Sequence, residues 1–188
     1  DVDPDSMAVL APEKYPMAGR TTHEVTIGVY DVKSDKTIYL KVGNPKDRYF
    51  VNIGWSPDGK TIYLKEFNRK QNEMLLDAYD AVTGDKRATL YTERHEKYIT
   101  SYTSVAFLPW DADKFIIQSQ KDGYNHLYLF NTKGEMLRQL TSGHFVVYDL
   151  LGFDKARKRA IILSAESSPI QSNLYAVDIA TGKRTLLD

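Results

Sequence analysis

The sequence predicts an all-β protein, a partial β-propeller of about three and a half four-stranded blades. Three observations carry this. A phrase recurs four times, an apolar run followed by Asp or Asn and, in three cases, by Gly and a charged residue: Ile27 to Ser34, Leu76 to Gly84, Leu127 to Gly134 and Leu174 to Gly182. The residues before each Asp or Asn are Tyr30, Tyr79, Phe130 and Val177, so the phrase returns after 49, 51 and 47 residues, and a period near fifty marks repeated supersecondary units. Runs such as Phe115-Ile116-Ile117 and Ala160-Ile161-Ile162-Leu163 are apolar at consecutive positions, as strands covered on both faces require. Blades stacked side by side give that cover.

Taken in order, residues 1–20 read as an extended leading segment with little periodicity. Asp1, Asp3 and Asp5 resemble the start of a calcium loop, but Ser6 and Pro12 stand where that loop needs Gly and Glu, so no metal is expected. Residues 21–43 form half a blade, with strands Val25 to Tyr30 and Thr37 to Lys41 about a turn at Lys33-Ser34-Asp35. Three complete blades follow. Residues 49–91 hold strands Phe50 to Ser56, Thr61 to Glu66, Glu73 to Asp80 and Arg87 to Tyr91; Glu73 to Tyr79 alone suits a helix equally well, and the repeat register makes it a strand. Residues 102–141 hold Ser104 to Leu108, Lys114 to Gln118, His126 to Asn131 and Met136 to Leu140. Residues 145–188 hold Val146 to Gly152, Arg159 to Leu163, Asn173 to Asp178 and Arg184 to Leu187. Fourth strands open with bases, Lys36, Lys86-Arg87 and Lys183-Arg184, which fit either a charged outer edge or ordinary solvated turns.

Up-and-down connection puts the short turns, such as Ser56-Pro57-Asp58-Gly59 and Thr83-Gly84-Asp85, on one rim. The opposite rim carries the long loops: Gly43 to Tyr49, Asn68 to Asn72, Thr92 to Thr103, Ser119 to Asn125, Thr141 to Phe145 and Glu166 to Ser172. Binding belongs on that rim.

Composition narrows the function. Lys+Arg 25 against Asp+Glu 25 gives no global attraction to nucleic acid or an anionic membrane. With no Cys there are no disulfides, zinc thiolates or cysteine nucleophiles. A chain opening on Asp reads as an excised or processed piece. Gly54-Trp55-Ser56-Pro57-Asp58-Gly59 resembles a serine-hydrolase nucleophile elbow and fails twice: Asp58 stands where Gly is needed, and Pro57 has no N–H to offer an oxyanion. His23, His95, His126 and His144 lack metal-protease spacing, because Ile27 and Ile99 occupy the second-ligand positions after His23 and His95. No glycine-rich phosphate loop or basic-aromatic stripe is present, and neither cofactor nor nucleic acid is expected.

Four phrases are more specific than the repeat requires. Tyr15-Pro16-Met17-Ala18-Gly19, Asn68-Arg69-Lys70-Gln71-Asn72, Ser119 to Tyr128 with its core Asp122-Gly123-Tyr124-Asn125-His126, and Thr141-Ser142-Gly143-His144-Phe145 resemble, in order, signatures of the dipeptidyl peptidase IV propeller. The resemblance runs from about Tyr15 to Asp188. It implies the later half of an irregular eight-bladed propeller of a serine exopeptidase, whose catalytic Ser, Asp and His belong to an α/β-hydrolase domain outside this chain. The family's Glu pair for the substrate amino group has no counterpart here. No catalytic residue is therefore expected in this chain.

On this resemblance the segment shapes peptide access, and the parent releases Xaa-Pro or Xaa-Ala dipeptides from N-termini. Tyr102 matches an aromatic that the family turns toward outer subsites, with Tyr98 before it and Thr103 in place of the accompanying Arg. The alternative makes Tyr98 and Tyr102 blade-packing aromatics. Asn68, Arg69, Gln71, Asn72, Asp122, Gly123, Tyr124 and His126 are expected to order loops by satisfying backbone groups. The resemblance further implies peptide partners reached through the hydrolase domain, possible homo-oligomers, membrane attachment only through a segment outside this chain, and a periplasmic, secreted or membrane-anchored location in a bacterial parent. The competing reading is a non-enzymatic propeller whose long-loop rim is a protein-interaction platform. Three and a half blades leave two uncovered sheet faces, which predicts self-association, disorder of Asp1 to Arg20 or limited solubility.

Overall fold

The structure, a computed structural model, describes residues 10–12, 14, 17, 19–100 and 103–188. Asp1, Asp3, Asp5, Tyr15 and Tyr102 lie outside the described residues. The described residues form strands without helices. A hairpin of β1 (Gly28–Asp31) and β2 (Lys36–Tyr39) precedes three four-stranded antiparallel sheets. The first sheet has β3 (Arg48–Trp55), β4 (Thr61–Asn68), β5 (Glu73–Asp80) and β6 (Lys86–Arg94). The second has β7 (Ala106–Leu108), β8 (Asp111–Ser119), β9 (His126–Asn131) and β10 (Met136–Gln139). The third has β11 (Val147–Asp154), β12 (Arg159–Ser164), β13 (Asn173–Asp178) and β14 (Arg184–Leu186). Strand order follows chain order in every sheet, and the arc is open.

The recurring phrase is a turn with a fixed internal bonding pattern. The carboxylate of Asp80 accepts hydrogen bonds from Val82 N and Thr83 N, that of Asp178 from Thr181 N, and the amide oxygen of Asn131 from Lys133 N and Glu135 N. In the hairpin Asp31 accepts from Lys33 N and Ser34 N. Each turn thus supplies acceptors for N–H groups that no ladder reaches.

The glycine of the phrase meets two demands at once. Gly84, Gly134 and Gly182 have φ of 73°, 88° and 77°, the left-handed region in which a Cβ is strained. A Cβ would also stand 2.3 Å from Tyr39 O at Gly84, 2.5 Å from Leu90 O at Gly134 and 3.2 Å from Leu140 O at Gly182. Each turn therefore lies against the last strand of the preceding unit, and Lys41 N donates to Gly84 O at 2.8 Å.

Three apolar clusters fill the spaces between sheets. Leu40 and Val42 pack on Ile62, Leu64 and Tyr79. The other face of β4 and β5 presents Tyr63, Phe67, Met74 and Leu76 to Phe115, Ile117, Tyr128 and Phe130. Ile116, Leu127 and Leu129 then meet Ala160, Ile162, Tyr175 and Val177. Two-sided cover explains the consecutive apolar runs: seven of the eight residues of β4 are buried.

Several boundaries differ from the sequence reading. β6 continues to Arg94, two residues beyond the expected loop start at Thr92, because its register with β5 runs to the Glu73–Arg94 pair, where the two side chains form an ion pair. β4 likewise takes in Asn68. The fourth-strand bases are engaged: Lys86 binds the fully buried Asp77 at 2.8 Å, Arg87 binds Asp80 at 2.6 Å, and Arg184 binds Glu166 at 2.7 Å. Lys36 stays exposed, in register with Asp31.

Gly59 and Gly84 have similar φ, 69° and 73°, but a Cβ at Gly59 meets nothing within 4 Å. Gly59→Ala is expected to cost about 1–2 kcal/mol of backbone strain. Gly84→Ala is expected to add about 1–3 kcal/mol of overpacking against the hairpin. Urea unfolding with an unchanged m-value checks this; equal midpoints for the two variants would show that the turn does not bear on its neighbour.

Candidate functional site

The long-loop rim holds most of the polar residues singled out from the sequence. Asn68, at the end of β4, accepts hydrogen bonds from Asn72 N at 3.0 Å and Glu73 N at 3.2 Å, and its Nδ2 donates to Asn72 Oδ1. Gln71 takes φ of 54°, and its N–H donates to Asn68 O. Arg69 donates to Arg20 O at 2.7 Å, tying the leading segment to this loop. The loop in turn receives the chain after β6, since Ile99 N donates to Gln71 O and His95 N to Asn72 O.

Beside these contacts lies an open cavity of about 520 Å³ lined by Tyr49, Val51, Phe67, Gln71, Tyr98 and Ile99. Tyr98 is 63% exposed and stands at this cavity rather than packed between sheets. A β-bulge forms the opposite wall: Val51 pairs with Lys65 and Gly54 with Tyr63, one residue too many on β3, and Asn52 absorbs the kink at φ of 54°.

The second group lies on the loop before β9. Asp122 accepts from Tyr128 OH at 2.6 Å, and Gly123 has φ of 94° with its N–H donating to Gln120 O. Tyr124 stacks on His144 with ring centroids 5.8 Å apart. His126 is buried between Thr141 Oγ1 at 3.1 Å from Nδ1 and Gly143 O at 3.0 Å from Nε2. The carbonyl can only accept, so Nε2 carries the proton and Nδ1 accepts from the Thr141 hydroxyl, which itself accepts from Leu127 N. Burial, the largest cause, lowers the imidazole pKa below 6.5. The imidazole is thus held neutral.

A buried acid and a buried base share the space between the first and second sheets. Glu93, on β6, accepts from Ser119 Oγ at 2.7 Å across the space between the first and second sheets, and from Tyr91 OH of its own strand at 3.4 Å. Lys65 lies in the same space, 1% exposed, and donates no hydrogen bond to any described residue. Desolvation lowers its pKa to about 8, and the charge of Glu93 opposes that shift. The sequence reading passed over Lys65, although a lysine inside Tyr63-Leu64-Lys65-Glu66-Phe67 in a middle strand was a visible signal.

Ser56 is engaged in its turn, donating to Asp58 Oδ1 at 2.6 Å and accepting from Thr61 N at 2.9 Å. Among the described residues no three His, Cys, Asp or Glu side chains gather as a metal site.

Among the described residues, fourteen strands in an open row of antiparallel sheets, packed face to face through turns of period near fifty, define a β-propeller segment. Residues 5–188 match the family described as dipeptidyl peptidase IV (DPP IV) N-terminal region, and the chain belongs to it. It is 27% identical over 178 residues to the protein of Aspergillus flavus named "Probable dipeptidyl peptidase 4", a match covering 89% of this chain and 23% of that protein. It is 25% identical over 176 residues to "Inactive dipeptidyl peptidase 10" of Mus musculus, covering 86% of this chain and 22% of the relative. A Bacteroides ovatus structure named "a putative dipeptidyl aminopeptidase IV" superposes with a TM-score of 0.86 at 42% identity, covering 92% of this chain and 27% of its own. Porphyromonas gingivalis dipeptidyl peptidase 4 gives 0.81 at 28% identity, covering 93% and 24%. The chain spans about a quarter of the length of these relatives.

Two lowered pKa values set opposite ends of a stability profile. As pH falls through 6.5 the unfolded chain protonates His126 before the folded one does, so the His126 contribution is full above 6.5 and declines below it. Lys65 releases its proton near pH 8 when folded and at 10.5 when unfolded, so the folded state gains as pH rises from 8. Above 10 the buried tyrosines, with Tyr79 raised to about 12, reverse the trend. Subtracting the profile of Lys65→Met is expected to leave a rise on the order of 3 kcal/mol across the alkaline limb. A flat difference would mean that Lys65 is solvated in the folded protein.

Proposed function

We propose that this propeller segment shapes the access of extended peptides to the hydrolase domain of a serine exopeptidase that releases Xaa-Pro and Xaa-Ala dipeptides. The observation that carries the reading is the rim cavity beside Tyr98, a concave, mainly aromatic and aliphatic surface walled by the bulge at Asn52 and braced by the Asn68 to Asn72 loop. Membership of the dipeptidyl peptidase IV N-terminal family and the bacterial structural relatives support the substrate class. In this reading Tyr98, with Tyr102 after it, meets residues of the peptide beyond the dipeptide to be released. The parent works in the periplasm, outside the cell or on a membrane anchor.

A second reading has one observation in its favour: a relative named inactive carries the same segment at 25% identity. The propeller then serves as a protein-interaction scaffold.

The intact protein is expected to hydrolyse an Ala-Pro or Gly-Pro anilide with a free N-terminus and to leave the N-blocked compound untouched. Absence of hydrolysis would favour the scaffold. Tyr98→Ala is expected to raise KM for penta- to octapeptides about three- to tenfold with kcat and anilide hydrolysis unchanged, the signature of lost binding remote from the reacting bond. Unchanged peptide KM would end the role of Tyr98.

A further inference from the structure

We infer, resting on the reading of the rim cavity as a place where the peptide is met, that this cavity takes one apolar side chain, aromatic or branched aliphatic, from beyond the released dipeptide and rejects acidic and basic side chains there. Its volume of about 520 Å³ falls within the roughly 300–1,000 Å³ of ligand clefts. Phe67 and Ile99, each 5% exposed, belong to the apolar cluster between the first and second sheets, so they form the floor. Tyr49 packs on the same cluster, whereas Val51 and Tyr98 are exposed and border the entrance. A side chain entering here exchanges water for aromatic walls and an apolar floor.

The loops that build the cavity are rich in charge, yet among the described residues no Asp, Glu, Lys, Arg or His lines it. Each nearby charge is directed elsewhere. Arg69 donates to Arg20 O at 2.7 Å, Arg94 is paired with Glu73, and Glu93 accepts from Ser119 at 2.7 Å in the space between the sheets. Lys70, Glu96 and Lys97 are exposed. The cavity receives Gln71, Ile99 and Thr100 from the same loops, because Ile99 N donates to Gln71 O at 2.7 Å and so joins the neutral part of one loop to that of the other.

This arrangement selects by desolvation. A charged side chain placed in the cavity loses hydration and meets no counter-ion on the lining, whereas an apolar one loses nothing that water supplied. Gln71 and Thr100 add neutral polar groups for the peptide backbone.

The test uses the intact protein and initial rates on heptapeptides that begin Ala-Pro and continue in glycine, with Phe, Leu, Asp or Lys placed in turn at each position from the third to the seventh. At one position Phe and Leu are expected to give a KM about tenfold below that of Asp and Lys, with kcat unchanged. Gln71→Glu, nearly isosteric, sets a carboxylate on the lining and is expected to lower KM for the lysine peptide at that position about threefold. Equal KM for Phe, Asp and Lys at every position, with the Ala-Pro anilide hydrolysed, would overturn this inference and leave the peptidase reading standing. An anilide left intact would remove that reading and the inference with it. A folded Gln71→Glu protein that handles the lysine peptide as the wild type does would also overturn the inference.

Discussion

The spacing between neighbouring units is set where the turn before each last strand presses on the backbone of the unit before it. At Gly84 and Gly134 a single carbon more would lie 2.3 Å and 2.5 Å from a carbonyl oxygen, so backbone meets backbone there with no side chain between. That closeness at one edge lets the two-sided apolar runs interdigitate along the rest of each interface, from Leu40 against Ile62 to Leu129 against Val177. The Asp or Asn of the same phrase holds the turn in shape through its N–H contacts. One phrase of eight or nine residues thus determines both the turn and the distance between sheets.

Close interfaces constrain every polar group caught inside them. Asp77 is fully buried and is met by Lys86 at 2.8 Å and Thr89 at 2.6 Å. Glu93 is met by Ser119, and His126 by Thr141 and Gly143. These bonds join neighbouring strands of one sheet, one unit to the next, or a strand to a loop, so polar satisfaction adds direction to an otherwise non-directional apolar contact. Lys65 differs from these groups: its ammonium feels the charge of Glu93 without a hydrogen bond to it, and desolvation draws its pKa toward neutrality.

The periodic part of this molecule was legible because each feature of the phrase has a local cause. Asp80, Asn131 and Asp178 cap turns, and Gly84, Gly134 and Gly182 take a conformation few other residues accept. Reading Glu73 to Asp80 as a strand needed only the register. Strand ends were less legible, since β6 extends to Arg94 through pairing with Glu73, a contact 21 residues away in the chain. The signature loops could be read as polar and ordered, whereas the cavity beside Tyr98 depends on a bulge at Asn52 and on the return of Ile99 to Gln71. Neither leaves a periodic trace. Lys65 sits in an apolar-looking strand, and only the packing of a neighbouring sheet makes it consequential.

The pairing of His126 with Thr141 illustrates why geometry alone does not make a reaction centre. A hydroxyl 3.1 Å from an imidazole nitrogen is the spacing of a nucleophile and its base. Here Thr141 is 1% exposed, its oxygen accepts Leu127 N, and the other imidazole nitrogen donates to Gly143 O, so no orbital faces a substrate. The same residues that would activate a nucleophile in an open cleft close a loop in a sealed one. Ser56 repeats the lesson on the opposite rim, where Asp58 and Thr61 occupy its hydroxyl. These reactive groups are engaged in holding loops, and the concave rim at Tyr98 is where the shape of the segment departs from the repeat.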